Sequence, residues 1–172
     1  MTAMILPLNG WAAQKLQKSF KADVEFFKAF ENEEIIGADV NVQCTASKRG
    51  QDILLDLAME GTVTVVCDRC LDNLDLPVSV SAALVSRTEE GGEESADGRE
   101  VILHEVTDKE IDLSQIVYDY ICLSLPMQRV HPEGECNPEV VRHLGRTIEV
   151  PDSVEDDAAN PFSVLKGLFN GK

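Results

Sequence analysis

Between residues 38 and 84 the chain alternates apolar and polar side chains with few breaks, and that rhythm decides the fold class. Ala38, Val40, Val42, Cys44 and Ala46 alternate with Asp39, Asn41, Gln43 and Thr45. Successive residues of a strand point to opposite faces, so a period of two means one buried side and one wet side. Lys48-Arg49-Gly50-Gln51 makes the first turn. Ile53, Leu55, Leu57 and Met59 resume the alternation, and Val63, Val65 and Cys67 follow Gly61, where a bulge or kink is expected. Leu74, Leu76, Val78, Val80, Ala82 and Leu84 carry it past Cys70. None of these connections has room for a crossover helix, so the strands should pair as an antiparallel meander.

The flanks add short elements. Met4 to Leu8 is a brief apolar segment, and Leu16 to Ala22 alternates weakly. Asp23 can cap a short helix carrying Val24, Phe26, Phe27 and Phe30. Val101 to Val106 reads as one more strand. Asp112 is placed to cap an amphipathic helix through Leu113, Ile116, Val117, Tyr120 and Leu123, stopped by Pro126. Asn137-Pro138 opens another short helix that Gly145 ends, and Asn160-Pro161 repeats the device before Phe162, Leu165, Leu168 and Phe169. The expected fold is α+β: an antiparallel, strongly twisted sheet, a meander able to curl toward a barrel, flanked by a few helices. Residues 1–146 should form the single domain, 147–160 an acidic linker and 161–172 a C-terminal amphipathic helix. A hydrophobic share of 44% suits one core, and with only 5% aromatic residues that core must be aliphatic.

Charge narrows the partners. The formal net charge is −16, divided as +3 over residues 1–22 and −19 over the rest. Such a field repels phosphate backbones and attracts basic partners, so a general-surface grip on nucleic acid is disfavoured. The acidic runs Glu89 to Glu100 and Glu149 to Asp157 contain glycine, serine or proline and no apolar period, as solvated loops do. No apolar run reaches the 18 or so residues that a membrane span needs. The N-terminal stretch lacks positive charge before its apolar segment, unlike a secretory signal, so a cytoplasmic location is expected.

The five cysteines carry the sharpest chemical signal. An odd number without a signal peptide points to reduced thiols, not a disulfide framework. Cys44 lies on the apolar side of its strand and reads as a small core residue. Cys67-Asp68-Arg69-Cys70 falls between two strand patterns, where a tight turn can aim both thiolates at one ion. The other half of a tetrahedral site must come from far along the chain, and His131 and Cys136 in the loop VHPEGEC are the natural candidates. Cys122 is a substitute ligand whose helical position favours burial. A structural zinc and a reduced, metal-free turn both remain open. A thioredoxin-type redox role fits less well, because its CxxC opens a helix and here strand follows strand.

Catalytic signals are meagre. There is no GxSxG, no phosphate-cradling glycine loop and no HExxH. His104 in a strand and His143 in a short helix read as surface residues, and a Cys136–His131 nucleophilic pair lacks an orienting third group. The expectation is that the chain is not an enzyme.

The run VVCDRCLDNLDLPV, with its C-x-R-C-L knuckle, resembles the YceD family of large ribosomal RNA subunit accumulation proteins. Leu125-Pro126 ending a helix ahead of His131 and Cys136, the acidic linker, and Asn160-Pro161-Phe162 match as well. The similarity is most specific over Cys67 to Leu71 and vaguest over the N-terminal third. It implies a bacterial-type cytoplasmic accessory factor supporting synthesis, processing or accumulation of large-subunit ribosomal RNA, and it implies no chemical reaction. Set beside the charge, this favours an adaptor working through protein contacts, with basic ribosomal proteins or an RNA-processing enzyme as partners. The alternative is a direct RNA contact through one local basic face of Lys15, Lys18 and Lys21, extended by Lys48, Arg49 and Arg69. On a helix the three lysines share a side, and on a strand Lys18 opposes Lys15 and Lys21. A third reading, a metal-dependent hydrolase or nuclease, needs an open metal position, whereas Cys67, Cys70, His131 and Cys136 look like a closed shell.

Overall fold

The computed structural model of the chain describes residues 3–11, 15–88 and 98–144. Its elements run β1 Ile5–Pro7, β2 Lys15–Asp23, α1 Val24–Ala29, β3 Ile35–Arg49, β4 Asp52–Val66, β5 Asn73–Thr88, β6 Glu100–His104, β7 Glu110–Asp112, α2 Ser114–Ser124 and α3 Pro138–Leu144. Strands β2 to β6 form one sheet in chain order, and β1 pairs with β7 in a separate ribbon. The alternation between residues 38 and 84 is thus spread over three long strands, each antiparallel to its neighbour.

Two details of the sheet differ from expectation. Strand β6 runs parallel to β5, with Leu84 opposite Glu100 and Thr88 opposite His104. Residues 89–99 connect them, and that length lets the chain return the roughly 13 Å needed before pairing begins. Gly61 makes no bulge, since β4 passes straight through it opposite Val40; the register shifts instead between Ile35 and Gly37. The demand at position 61 is steric: a Cβ there would collide with the Asp39 carbonyl oxygen and stand 2.6 Å from Val40 Cα. Among the described residues β2 and β6 are the sheet's two edges, so it does not close into a barrel.

One face of this sheet carries the core. Val40, Val42, Leu55, Leu57, Met59, Val63 and Leu84 are fully or almost fully buried. Phe26 and Phe27 of α1 and Val117 and Ile121 of α2 join the same cluster. The N-terminal segment is held to the start of α2, where Met4 N–H donates to Ser114 Oγ at 2.9 Å and Leu113 N–H to the Met4 carbonyl at 3.1 Å. The apolar period of α2 is real but incomplete, because Leu123 is 84% exposed.

The helix caps follow sequence chemistry at one end and depart from it at another. Asp23 accepts the Phe26 N–H at 3.0 Å, satisfying a donor that the first turn leaves free. Asp23→Ala is therefore expected to lower stability by about 1 kcal/mol in a urea titration, with the transition otherwise unchanged. Asp112 is not the capping residue of α2. Leu113 holds that place without a side-chain bond, and Asp112 accepts the Ser114 N–H at 2.8 Å from one residue earlier. The Gly145 helix stop, the linker 147–160, the helix 161–172 and residues 89–97 of the first acidic run lie outside the described residues. No helix among the described residues is long and apolar enough to cross a membrane.

Candidate metal centre

The CxxC turn begins where β4 ends. Cys67 N–H donates to the Asp72 carbonyl at 2.8 Å and Leu71 N–H to the Cys67 carbonyl at 3.0 Å, closing the chain into a knuckle. Leu71 adopts the left-handed backbone region (φ 64°) to complete it. The knuckle then takes hold of the loop beyond α2. Asp68 N–H donates to the Arg129 carbonyl at 2.7 Å, and Arg129 N–H donates back to Asp68 Oδ2 at 2.8 Å. Two residues further on, His131 is delivered to the thiols, and Cys136 follows within the same loop.

The ligand atoms of Cys67, Cys70, His131 and Cys136 all lie within 4.8 Å of one another. Cys67 Sγ is 4.0 Å from Cys136 Sγ, and His131 Nδ1 is 3.4 Å from Cys70 Sγ and 3.9 Å from Cys136 Sγ. Zinc bonds of about 2.3 Å to sulfur and about 2.0 Å to nitrogen, at tetrahedral angles, give edges of roughly 3.8 Å between sulfurs and roughly 3.5 Å from sulfur to nitrogen. The cluster therefore has the dimensions of a four-coordinate centre. The outer nitrogen of the imidazole is also committed, since His131 Nε2–H donates to the Asn73 carbonyl at 3.1 Å. That bond leaves the Nδ1 lone pair facing the thiols, as a histidine ligand requires.

The electrostatics agree. Burial pushes the Cys67 thiol up, but the backbone N–H groups of Cys70, Arg69 and His131 outweigh it and bring it down from 9.0 to about 6. His131 is raised, first by its hydrogen bond to the Cys67 side chain. Cys136 is raised by burial and by the neighbouring Cys70 and Cys67 sulfurs. Arg69 turns toward the same centre: its N–H lies 3.5 Å from Cys67 Sγ and its guanidinium 4.0 Å from Cys136 Sγ. A cation beside thiolates stabilises their charged form.

The remaining cysteines stand apart. Cys44 is buried in the core, and burial raises its thiol to about 11, which keeps it unreactive. Cys122, half-buried on α2, accepts from Asn32 Nδ2 at 3.8 Å and takes no part in the cluster. His143 is exposed on α3. His104 is not a free surface residue, because its Nδ1 sits 2.8 Å from the hydroxyl of buried Ser86. The reciprocal Asp68–Arg129 bonds and the Asn73 carbonyl, which build the centre, carry no signal in composition or spacing.

The basic residues do not gather on one face. As a strand, β2 turns Lys15 and Lys21 to one side and Lys18 to the other. Lys18 Nζ donates to the Ile5 carbonyl at 2.9 Å, and Lys21 pairs with Asp39 at 3.1 Å. Lys15 stands opposite Ser47, which places it beside Lys48 and Arg49 at one end of the sheet, with Lys48 over the Trp11 ring. Arg69 lies at the other end, separated from Arg49 by the length of β3, roughly 46 Å.

Comparison with curated proteins and with solved structures finds no match. A family model described as large ribosomal RNA subunit accumulation protein YceD matches residues 55–169, a span that starts within β4 and includes all four ligand residues. That match covers more than half of the sequence: the chain belongs to the YceD family of large ribosomal RNA subunit accumulation proteins.

Proposed function

We propose that the chain is a non-enzymatic accessory factor of ribosome biogenesis in the bacterial cytoplasm, supporting large-subunit ribosomal RNA through contacts with other proteins. The observation that carries this reading is the closure of the ligand set. Three thiols and one imidazole, with ligand atoms within 4.8 Å, supply four donors and leave no position for a substrate or a reactive water. Zinc is the ion this donor chemistry suits, and bound there it would pin the β4–β5 turn to the loop after α2. A hydrolase or nuclease would need that fourth position free.

The partner class follows from charge. At −16, contacts with phosphate must overcome the repulsion of the whole surface, whereas basic ribosomal proteins or an RNA-processing enzyme are attracted to it. Direct RNA binding keeps one supporting observation, the grouping of Lys15, Lys48 and Arg49 at one end of the sheet. Affinity purification under mild salt, with and without nuclease, separates the two readings. Basic proteins that remain bound after RNA digestion support the adaptor. Capture of naked ribosomal RNA, with a steep loss of affinity as salt rises, would replace it with direct binding.

A further inference from the structure

Isolated apolar residues on a surface need no explanation, but a concentration of them at one place does. Of nine strongly exposed large apolar side chains among the described residues, six belong to segments at the end of the sheet that holds the metal centre. Ile36 and Val66 are one step along from the paired residues Ile35 and Val65, on the outer face of β3 and β4. Leu71, 71% exposed, stands on the knuckle itself. Met127 is fully exposed, two residues before the Arg129 that the knuckle binds. Val141 and Leu144 are on α3, which begins just after Cys136 and buries none of its residues. Leu103 and Val106, by contrast, lie at the opposite end, where His104 pairs with the end of β5.

The same segments are acidic. Residues 31–36, 66–73 and 126–144 contain eight acids and three arginines, a net formal charge of −5. One of those arginines, Arg129, is already paired with Glu34 at 2.8 Å. We propose that this end of the molecule, with the metal centre as its rigid base, is a docking surface for a basic protein segment that carries apolar side chains. The proposal rests on the adaptor reading and says where the adaptor binds. Charge complementarity selects this occupant over the others available. A second copy brings another −16 and RNA brings a phosphate backbone, and each is repelled where a lysine- and arginine-rich segment is attracted. Within the same chain residues 145–160 sum to −4 and residues 161–172 to only +2, so a segment richer in lysine and arginine is the better complement to this surface.

The test places a photoreactive p-benzoylphenylalanine in the full chain, either at Met127 or, as control, at Val106. Each protein is mixed with the total protein extracted from large ribosomal subunits and with protein-free large-subunit RNA. Adducts from position 127 to a basic ribosomal protein, roughly tenfold above those from position 106 and reduced by salt, are expected. Met127→Lys, at a side chain with nothing packed on it, should weaken retention of the same protein by roughly tenfold. If the unsubstituted chain retains none of the extracted proteins, the adaptor reading falls and this surface with it. If it retains them while position 106 reacts as readily as 127, or Met127→Lys changes nothing, only the surface assignment falls. Adducts from 127 to residues 145–172, to a second copy or to the RNA overturn the proposal as well.

Discussion

Gly61→Ala is expected to destabilise the protein by about 3 kcal/mol or more, far beyond the usual effect of adding a methyl group. The position lies mid-strand, opposite Val40, where the backbones of β3 and β4 approach too closely for a side chain. A Cβ would collide with the Asp39 carbonyl oxygen and approach Val40 Cα to 2.6 Å. Backbone on both sides of the contact cannot rotate away, so the ladder itself must move. Thermal unfolding should show a midpoint lower by roughly 6–12 °C for a chain of this size. Gly37→Ala is the internal comparison. Its Cβ would meet the Thr64 hydroxyl at 3.1 Å and Thr64 Cβ at 3.2 Å, contacts that a small shift of the Thr64 side chain and backbone relieves, and about 1 kcal/mol or less should be lost. Equal effects at the two positions would refute the steric account of Gly61.

Loss of a metal from the candidate centre is the second large effect expected. An ion that binds only the folded chain stabilises it by about 4 kcal/mol when free metal is at about a thousand times its dissociation constant. Chelation, or Cys136→Ala, should therefore lower the unfolding midpoint by roughly 8–16 °C, with the sheet still formed because most of its core lies beyond the centre. Cys67, Cys70 and Cys136 join the same buried cluster as Leu55, Met59 and Leu84 but are only three of its members. Affinity for the ion must fall as pH falls, because protons compete for the same atoms. The upward shifts of His131 and Cys136 extend the competition from protons to higher pH, and below about 6 the Cys67 thiol is protonated as well. Each displaced proton changes the apparent affinity about tenfold per pH unit. Titration with zinc at several pH values measures this slope, and a flat profile would argue against ligation by these groups.

How far the sequence revealed the fold depended on the range of the interactions. The period of two identified β3, β4 and β5 because side-chain alternation is a local consequence of strand geometry. The Asp23 cap was visible for the same reason, as a bond spanning three residues. The parallel pairing of β6 was not, since it sets Leu84 opposite Glu100, 16 positions on, and no local pattern encodes it. Gly61 illustrates a different failure: a glycine in a strand marks either a bulge or a close approach, and only the partner strand decides between them.

The metal centre was half legible. Ligand chemistry and the short spacing within CDRC and within HPEGEC singled out the four residues. What joins the halves is the exchange of hydrogen bonds between Asp68 and Arg129, 61 positions apart, which no spacing rule anticipates. The grouping of the basic residues depended on the element that carries them. On a strand Lys18 opposes Lys15 and Lys21, as β2 has it, while the register that sets Lys15 beside Lys48 and Arg49 and the length of β3 that parts them from Arg69 follow only from the pairing.

Occupancy of the Cys67, Cys70, His131 and Cys136 cluster by one structural ion is the central proposal. Native mass spectrometry of the full chain, purified without a histidine tag and kept under reducing conditions, tests it most directly. One zinc ion per chain is expected, retained at neutral pH and lost when Cys67 and Cys70 are both changed to serine. A chain that carries no stoichiometric metal, or that keeps its metal in the Cys67→Ser, Cys70→Ser double variant, would contradict it.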